Sequence, residues 1–300
     1  MRRILLVFLF MMSVALPALA QQDPLYAQYF GAPMVINPAY AGFTKDVNAA
    51  VIYRKQWAGF DGSPTTVNAS GSISLLNNKV GAGLMVVKDA VGSNKTTEIQ
   101  GVYAYHLPVG ENTTFSFGLQ AGGVNYRSDY SQLTINPNDP KFSSYSEWRP
   151  TFGAGVQLTN DKFFLSVSMP KMLQSNNNSP AAGLYNRNFY GLASYIFPVS
   201  YRIKLKPFML LRASSNSPVA LDAGLAVHAD DSYRLGVFTR NLSTYGFQAQ
   251  IKLGDAIRMG YVFEMPTSKS VGLKFPTHEL MLGVRFATMK FHDIEAVRNF

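Results

Sequence analysis

Beyond residue 20 this chain has no apolar run approaching the about 18 residues that a membrane-crossing helix needs, yet it alternates apolar and polar side chains with period two. In residues 115–124, FSFGLQAGGV, one face carries Phe115, Phe117, Leu119 and Ala121, and the other Ser116, Gly118, Gln120 and Gly122. Residues 152–159 set Phe152, Ala154, Val156 and Leu158 against Gly153, Gly155, Gln157 and Thr159. In residues 245–253 the same split places Tyr245, Phe247, Ala249, Ile251 and Leu253 opposite Gly246, Gln248, Gln250 and Lys252. A chain patterned in this way forms strands with one dry face, which excludes helical bundles and helical membrane spans.

A soluble sandwich also alternates, so strand length and loop length decide between sandwich and barrel. The pattern predicts fourteen strands, at 46–57, 65–76, 79–88, 96–107, 113–125, 149–159, 162–170, 188–198, 202–213, 218–228, 232–241, 244–253, 256–264 and 277–287. Most reach the about 9 to 11 residues of a tilted membrane strand, beyond the about 5 or 6 of a globular one. Turns at 77–78, 160–161 and 254–255 are minimal, whereas the connections near 89–95, 126–148, 171–187 and 265–276 are long; 214–217 and 242–243 are short exceptions on the long-loop side. Short turns on one rim and long loops on the other describe an all-β, transmembrane antiparallel barrel of the outer membrane, with about fourteen strands and both termini in the periplasm. Composition agrees: charged residues make up 15% and aromatic residues 13%, where a soluble domain carries roughly 25% charged. The absence of cysteine excludes disulfides, thiolate metal sites and a lipidated terminal cysteine.

Arg2 and Arg3, the apolar run Ile4 to Leu16 and the small-residue site Ala18-Leu19-Ala20 predict a signal peptide over 1–20. The remaining chain divides into a periplasmic N-terminal segment at 21–45, a possible plug or lid, then the barrel at 46–287 and a periplasmic C-terminal extension at 288–300. Removing the signal takes two arginines and no acid, so the formal charge falls from +9 to +7. Part of that excess faces the lumen: Lys204, Lys206, Arg212, Arg234, Arg240, Lys252, Arg258 and Arg285, with Asp222, Glu264 and Glu279 as acids. Two readings stay open for this set, an anion-attracting channel or seat for an acidic segment, and a ladder of ion pairs bracing the wall. Tyr26, Tyr29, Phe30, Tyr40 and Phe43 are too aromatic for a free tail, and inward glycines such as Gly81, Gly118, Gly155 and Gly260 predict a narrow, occupied lumen.

The stretch YRKQWAGFDGSPTT at 53–66 reads as the tip of the first hairpin, with Tyr53 and Trp57 at the membrane interface and Lys55 snorkelling to headgroups, so nucleic acid is not needed to explain it. The chemistry of catalysis is sparse. His106, His228, His278 and His292 lack metal-ligand spacing, and no GxSxG, HExxH or phosphate-binding glycine loop occurs. No cofactor or metal is expected. A triad assembled across strands, using His228 with Asp222 and one of the many serines, keeps a membrane hydrolase as one alternative.

Several motifs also carry a family likeness. Gln22-Asp23-Pro24 with Tyr26-Ala27-Gln28-Tyr29, and Ile36 followed by Asn37, Pro38, Ala39, Tyr40, Ala41 and Gly42, open the pattern. It continues with Tyr53, Arg54, Lys55, Gln56 and Trp57, then Gly59, Phe60, Asp61, Gly62, Ser63, Pro64, and the terminal stretch Thr277 to Phe286. In order and spacing the chain resembles the PorP/SprF family of type IX secretion system outer-membrane proteins of Bacteroidota. The resemblance implies secretion and surface attachment of a cargo protein through its C-terminal domain, adhesin display in gliding species, contact with other secretion components and with outer-membrane lipid, and no enzymatic role. Candidate partner-binding residues on the long loops are Tyr130, Tyr145, Trp148, Tyr185 and Arg187. A passive porin or solute transporter is the other alternative, distinguished by its conductance.

Overall fold

The computed structural model describes residues 26–44, 46–129, 144–173, 187–214, 217–267 and 275–286. The signal peptide at 1–20, the extension at 288–300, Tyr130, Tyr185 and His292 lie outside the described residues. The strands are β1 (Val47–Lys55), β2 (Thr65–Leu75), β3 (Val80–Val91), β4 (Asn94–Pro108), β5 (Thr114–Ser128), β6 (Tyr145–Thr159) and β7 (Phe163–Lys171). They continue as β8 (Asn188–Tyr195, carried on by the short piece Phe197–Pro198), β9 (Ile203–Ser214), β10 (Ser217–Ala229), β11 (Tyr233–Arg240), β12 (Thr244–Leu253), β13 (Ile257–Pro266) and β14 (Thr277–Phe286). Each pairs antiparallel with its chain neighbours, and β14 pairs with β1 from Val47↔Phe286 to Lys55↔His278, so the sheet closes into a fourteen-stranded barrel without a free edge.

The period-two pattern sorts side chains as expected. On β5, Phe117 and Leu119 point outward and are exposed, while Ser116 and Gln120 point inward and are buried. The outward band continues through Val51, Leu84, Ile99, Phe152, Val167, Met209, Leu235, Phe247 and Leu282, all exposed apolar side chains. In an outer membrane this band meets lipid, and closure satisfies every ladder hydrogen bond within the sheet.

Two loop expectations need correction. The connection expected at 89–95 is a two-residue turn: β3 runs to Val91, β4 starts at Asn94, and Gly92 takes φ +56° between them. Likewise β5 and β6 stay paired up to Ser128↔Tyr145, which places Tyr126, Tyr145 and Trp148 on strands rather than in a loop. The cause is common to both: these strands continue beyond the apolar band, where both faces are polar and the alternation that marks a strand fades.

At Leu119, whose neighbours across the ladder are Tyr103 and Ala154, replacement by Arg places a cation in the outward band. A lipid-facing cation near the midplane costs about 2 to 4 kcal/mol. Leu119→Arg is therefore expected to lower the folded fraction in bilayers, read by heat-modifiable electrophoretic mobility, while Leu119→Phe leaves it unchanged.

Candidate functional site

The lumen is occupied by the chain's own residues 26–44. Every side chain from Tyr26 to Phe43 is buried. Prolines prevent a long helix here, and the segment instead forms two single 3-10 turns, Pro33–Val35 and Pro38–Tyr40. Asn37 organises the second: its Oδ1 accepts the Ala39 amide at 2.8 Å as a helix cap. Its Nδ2 donates to the Val156 carbonyl at 2.9 Å and to Ser166 Oγ at 2.6 Å. Ser168 Oγ donates to the Ile36 carbonyl at 2.6 Å, and His106 meets the Ala41 carbonyl through Nε2 at 2.9 Å and Ser116 through Nδ1 at 2.8 Å.

This docking requires missing side chains in the wall. A Cβ on Gly118 would overlap the Pro38-Ala39 backbone, and one on Gly155 would overlap the Asn37 carboxamide. On the opposite side Tyr29 and Phe30 pack edge-on against Phe208, and Lys206 Nζ stands 4.3 Å from the Phe30 ring centre. Burial pushes the Tyr40 phenol up to about 12 and those of Tyr26 and Tyr29 well above the ordinary value, so this aromatic surface carries no charge at neutral pH.

Arg54, named by sequence only as a motif residue, is the hinge of a buried ion network. Its guanidinium reaches Glu264 at 2.7 Å and Glu279 at 2.8 Å. Arg240 bridges Glu264 at 3.0 Å and Asp222 at 2.8 Å, and Arg212 closes on Asp222 at 2.8 Å. Three cations face three acids, and the belt is neutral. Glu279 also accepts the backbone amides of Ala27, at 3.0 Å, and Gln28, at 2.8 Å. One carboxylate thus ties the inner segment to the wall. The belt lies at the long-loop ends of β1, β9, β11 and β13 and the matching starts of β10 and β14. The described inner segment therefore begins deep in the barrel and leaves it at the short-turn rim, where Thr44 precedes β1. Asp222 spends both carboxylate oxygens on Arg212 and Arg240, so the His228–Asp222 pair that a hydrolase reading needs does not form. Among the described residues no group of His, Asp and Glu could hold a metal.

All eight sequence-chosen basic residues sit on inward faces, but they divide into two groups. Arg212 and Arg240 join the neutral belt. Lys204, Lys206, Arg234, Lys252, Arg258 and Arg285 occupy the other half of the lumen, nearer the short-turn rim, where the acids are Asp231 on Lys204, Asp255 on Lys252 and Asp46 on Arg285. Sequence reasoning missed the pairing of Glu98 with Lys171 at 2.9 Å and the part of His106 in holding the segment. The inward parity of Glu98 and His106 on β4 was available as a signal.

The remaining motif residues shape the first hairpin tip. Tyr53 faces outward, whereas Lys55 does not snorkel: its Nζ donates to Thr65 Oγ1 at 2.9 Å and to the Ser63 carbonyl at 3.1 Å, bracing the hairpin. Gln56 N bonds the Pro64 carbonyl at 3.0 Å, and Trp57 N reaches Thr277 Oγ1 at 3.3 Å with φ +51° at Trp57. Gly42, Gly59 and Gly62 also take positive φ, at +65°, +96° and +71°. Phe60 packs on Phe275 at 5.7 Å between ring centres. Of the partner-binding candidates, Trp148 points outward and is 59% exposed, Tyr145 turns inward beside Tyr126, and Arg187 is exposed at the long-loop rim.

Gly118→Val and Gly81→Val are expected to unseat residues 26–44 while the barrel still folds, because the atoms that a Cβ meets first at either position belong to the segment and not to the ladder. Planar-bilayer recordings should show a rise in open conductance for both. Gly101→Val, whose side chain faces lipid, should behave as the parent. Conductance unchanged in the first pair would separate the segment from the closure of the lumen.

Against known families, the model for the type IX secretion system membrane protein PorP/SprF matches residues 18–284. No curated protein matches the chain. Among solved structures, a FadL homologue of Pseudomonas aeruginosa is 10% identical, with 91% of this chain and 96% of that chain covered and a TM-score of 0.47. Omp33 of Acinetobacter baumannii is 10% identical over 82% of this chain and 100% of its own, with a TM-score of 0.45. The toluene transporter TodX of P. putida is 9% identical over 84% and 91%, with a TM-score of 0.46. The match to the family model extends from the start of the inner segment's flank through the last strand, and the chain belongs to the PorP/SprF family of type IX secretion system membrane proteins.

Proposed function

We propose that this barrel works as a closed outer-membrane receptor of the type IX system, binding the C-terminal domain of a secreted cargo at its long-loop rim and supporting cargo secretion or attachment at the cell surface. The observation that carries this reading is the filled lumen. A segment buried from Tyr26 to Phe43 and a neutral ion belt replace a water-filled path, which disfavours the passive porin. On this reading, what distinguishes the molecule is its rim. The long-loop side carries the connections 129–144 and 172–187 between β5, β6, β7 and β8. Arginine and aromatic residues belong to this region, Tyr130, Tyr185 and Arg187 on the connections and Trp148 on the adjoining strand, and such side chains anchor protein interfaces. In this reading the short turns and both termini face the periplasm, toward other secretion components, and the long loops face outward. Display of adhesins in gliding species is the same activity applied to one class of cargo.

Replacing 131–142 and 176–184 with Gly-Ser linkers is expected to release cargo into the medium while the barrel stays folded and inserted, as judged by heat-modifiable mobility and immunoblots of cell and medium fractions. Cargo that stays surface-bound in this variant but is lost on Arg234→Gln would move the partner from the rim to the lumen.

A further inference from the structure

Among the described residues, the half of the lumen near the short-turn rim carries more cations than acids. A cleft opens there, between the β10–β11 turn and the β12–β13 turn, lined among others by His228, Arg234, Gln250, Lys252, Arg258 and Arg285. The acids at its lip, Asp231 and Asp255, have side chains 53% and 88% exposed and turn to Lys204 and Lys252. Arg285 is met by Asp46. Arg234 has no acid. Its side chain is buried at 4% exposure, one Nη donates to Gln248 Oε1 at 2.9 Å, the guanidinium lies 5.1 Å from the Phe30 ring centre, and Nε and the second Nη have no hydrogen-bond partner. His228 Nε2 is likewise buried without a partner and lines the same cavity.

Buried cationic donors left without an anion are costly, and the cost disappears when an oxyanion accepts from them. The belt above shows how this barrel handles buried arginines when it uses them as structure: each is matched by carboxylates from facing strands. At Arg234 no matching acid stands among the described residues. Three guanidiniums, an ammonium, a carboxamide and an imidazole converge at one mouth, a set whose planar forks fit the oxygens of a phosphate group. The inward direction of His228, Arg234, Gln250, Lys252, Arg258 and Arg285 turns the site to the lumen mouth and away from the acyl chains.

We infer that this mouth is a binding site for a phosphate-bearing small molecule taken from the aqueous side of the short-turn rim, with Arg234 as the central ligand and His228 and Arg258 beside it. The inference is independent of the cargo reading.

Isothermal titration of inorganic phosphate into the folded, detergent-solubilised full chain tests it. Saturable binding is expected, insensitive to equimolar chloride. Arg234→Gln should weaken it by about tenfold or more, the loss of a charge-assisted hydrogen bond. Arg234→Lys, which keeps the charge but not the fork, should fall between. Should Arg234→Gln fail to fold, His228→Ala serves as the second variant and is expected to weaken binding while keeping heat-modifiable mobility. Absence of saturable binding, or binding in a folded variant equal to the parent, overturns the site and reduces it to a solvated basic mouth. Repeating the titration with the detergent doped with phosphatidylglycerol separates the sources: unchanged affinity supports a soluble ligand, and displacement of phosphate by the lipid overturns it in favour of a headgroup.

Discussion

Arg54 is one residue on which three levels of this structure meet. It sits near the end of β1, the strand that closes the barrel against β14, and its guanidinium holds Glu264 of β13 and Glu279 of β14. Glu279 in turn accepts the amides of Ala27 and Gln28. Seam, belt and inner segment therefore share one ion pair. Its burial decides its character. Removing one partner of a buried pair leaves a charge without compensation and costs about 3 to 5 kcal/mol, whereas an exposed pair contributes about 1 kcal/mol or less. The belt is thus a specificity device: it accepts the segment in one register, with two backbone amides as the key.

From this follows the uneven lumen. Where the wall holds the segment by ions, acids and cations balance, and where it holds the segment by shape, glycines leave the space. Gly118 and Gly155 receive Ala39 and Asn37, and Phe208 receives Tyr29 and Phe30. On the short-turn side Arg234 has no facing acid among the described residues. Membership of the PorP/SprF family places this barrel among the membrane proteins of the type IX secretion system.

Much of this was legible in the sequence, for physical reasons. Strand order, strand number and the facing of Leu119 against Gln120 follow from period-two alternation, which lipid on one side and a lumen on the other both enforce. The inward glycines and the aromatic N-terminal segment pointed to each other, because each is unfavourable alone. What alternation could not carry were the polar extensions of β3 to β6, since beyond the apolar band both faces of a strand meet water; hence the turn at Gly92 and the strand position of Trp148. Nor could it choose pairs: eight inward cations looked alike, and only the register of β9 to β14 assigns Arg240 to Asp222 and Glu264 while leaving Arg234 without an acid among the described residues. Arg54 and Lys55 stand side by side in one motif, yet the first enters the core and the second braces a turn.

The central claim is that residues 26–44 are an internal part of the folded barrel. Because the chain has no cysteine, one introduced thiol reports on it directly. Ala39, fully buried against Gly118, tolerates replacement by cysteine better than any larger change, and Ser200 in an exposed turn serves as the accessible control. In isolated outer membranes treated with a membrane-impermeant maleimide, Ala39→Cys is expected to stay unlabelled until the barrel is heat-denatured, while Ser200→Cys labels at once. Labelling of Ala39→Cys in the folded barrel at the rate of the control would place the segment outside the lumen and contradict the account.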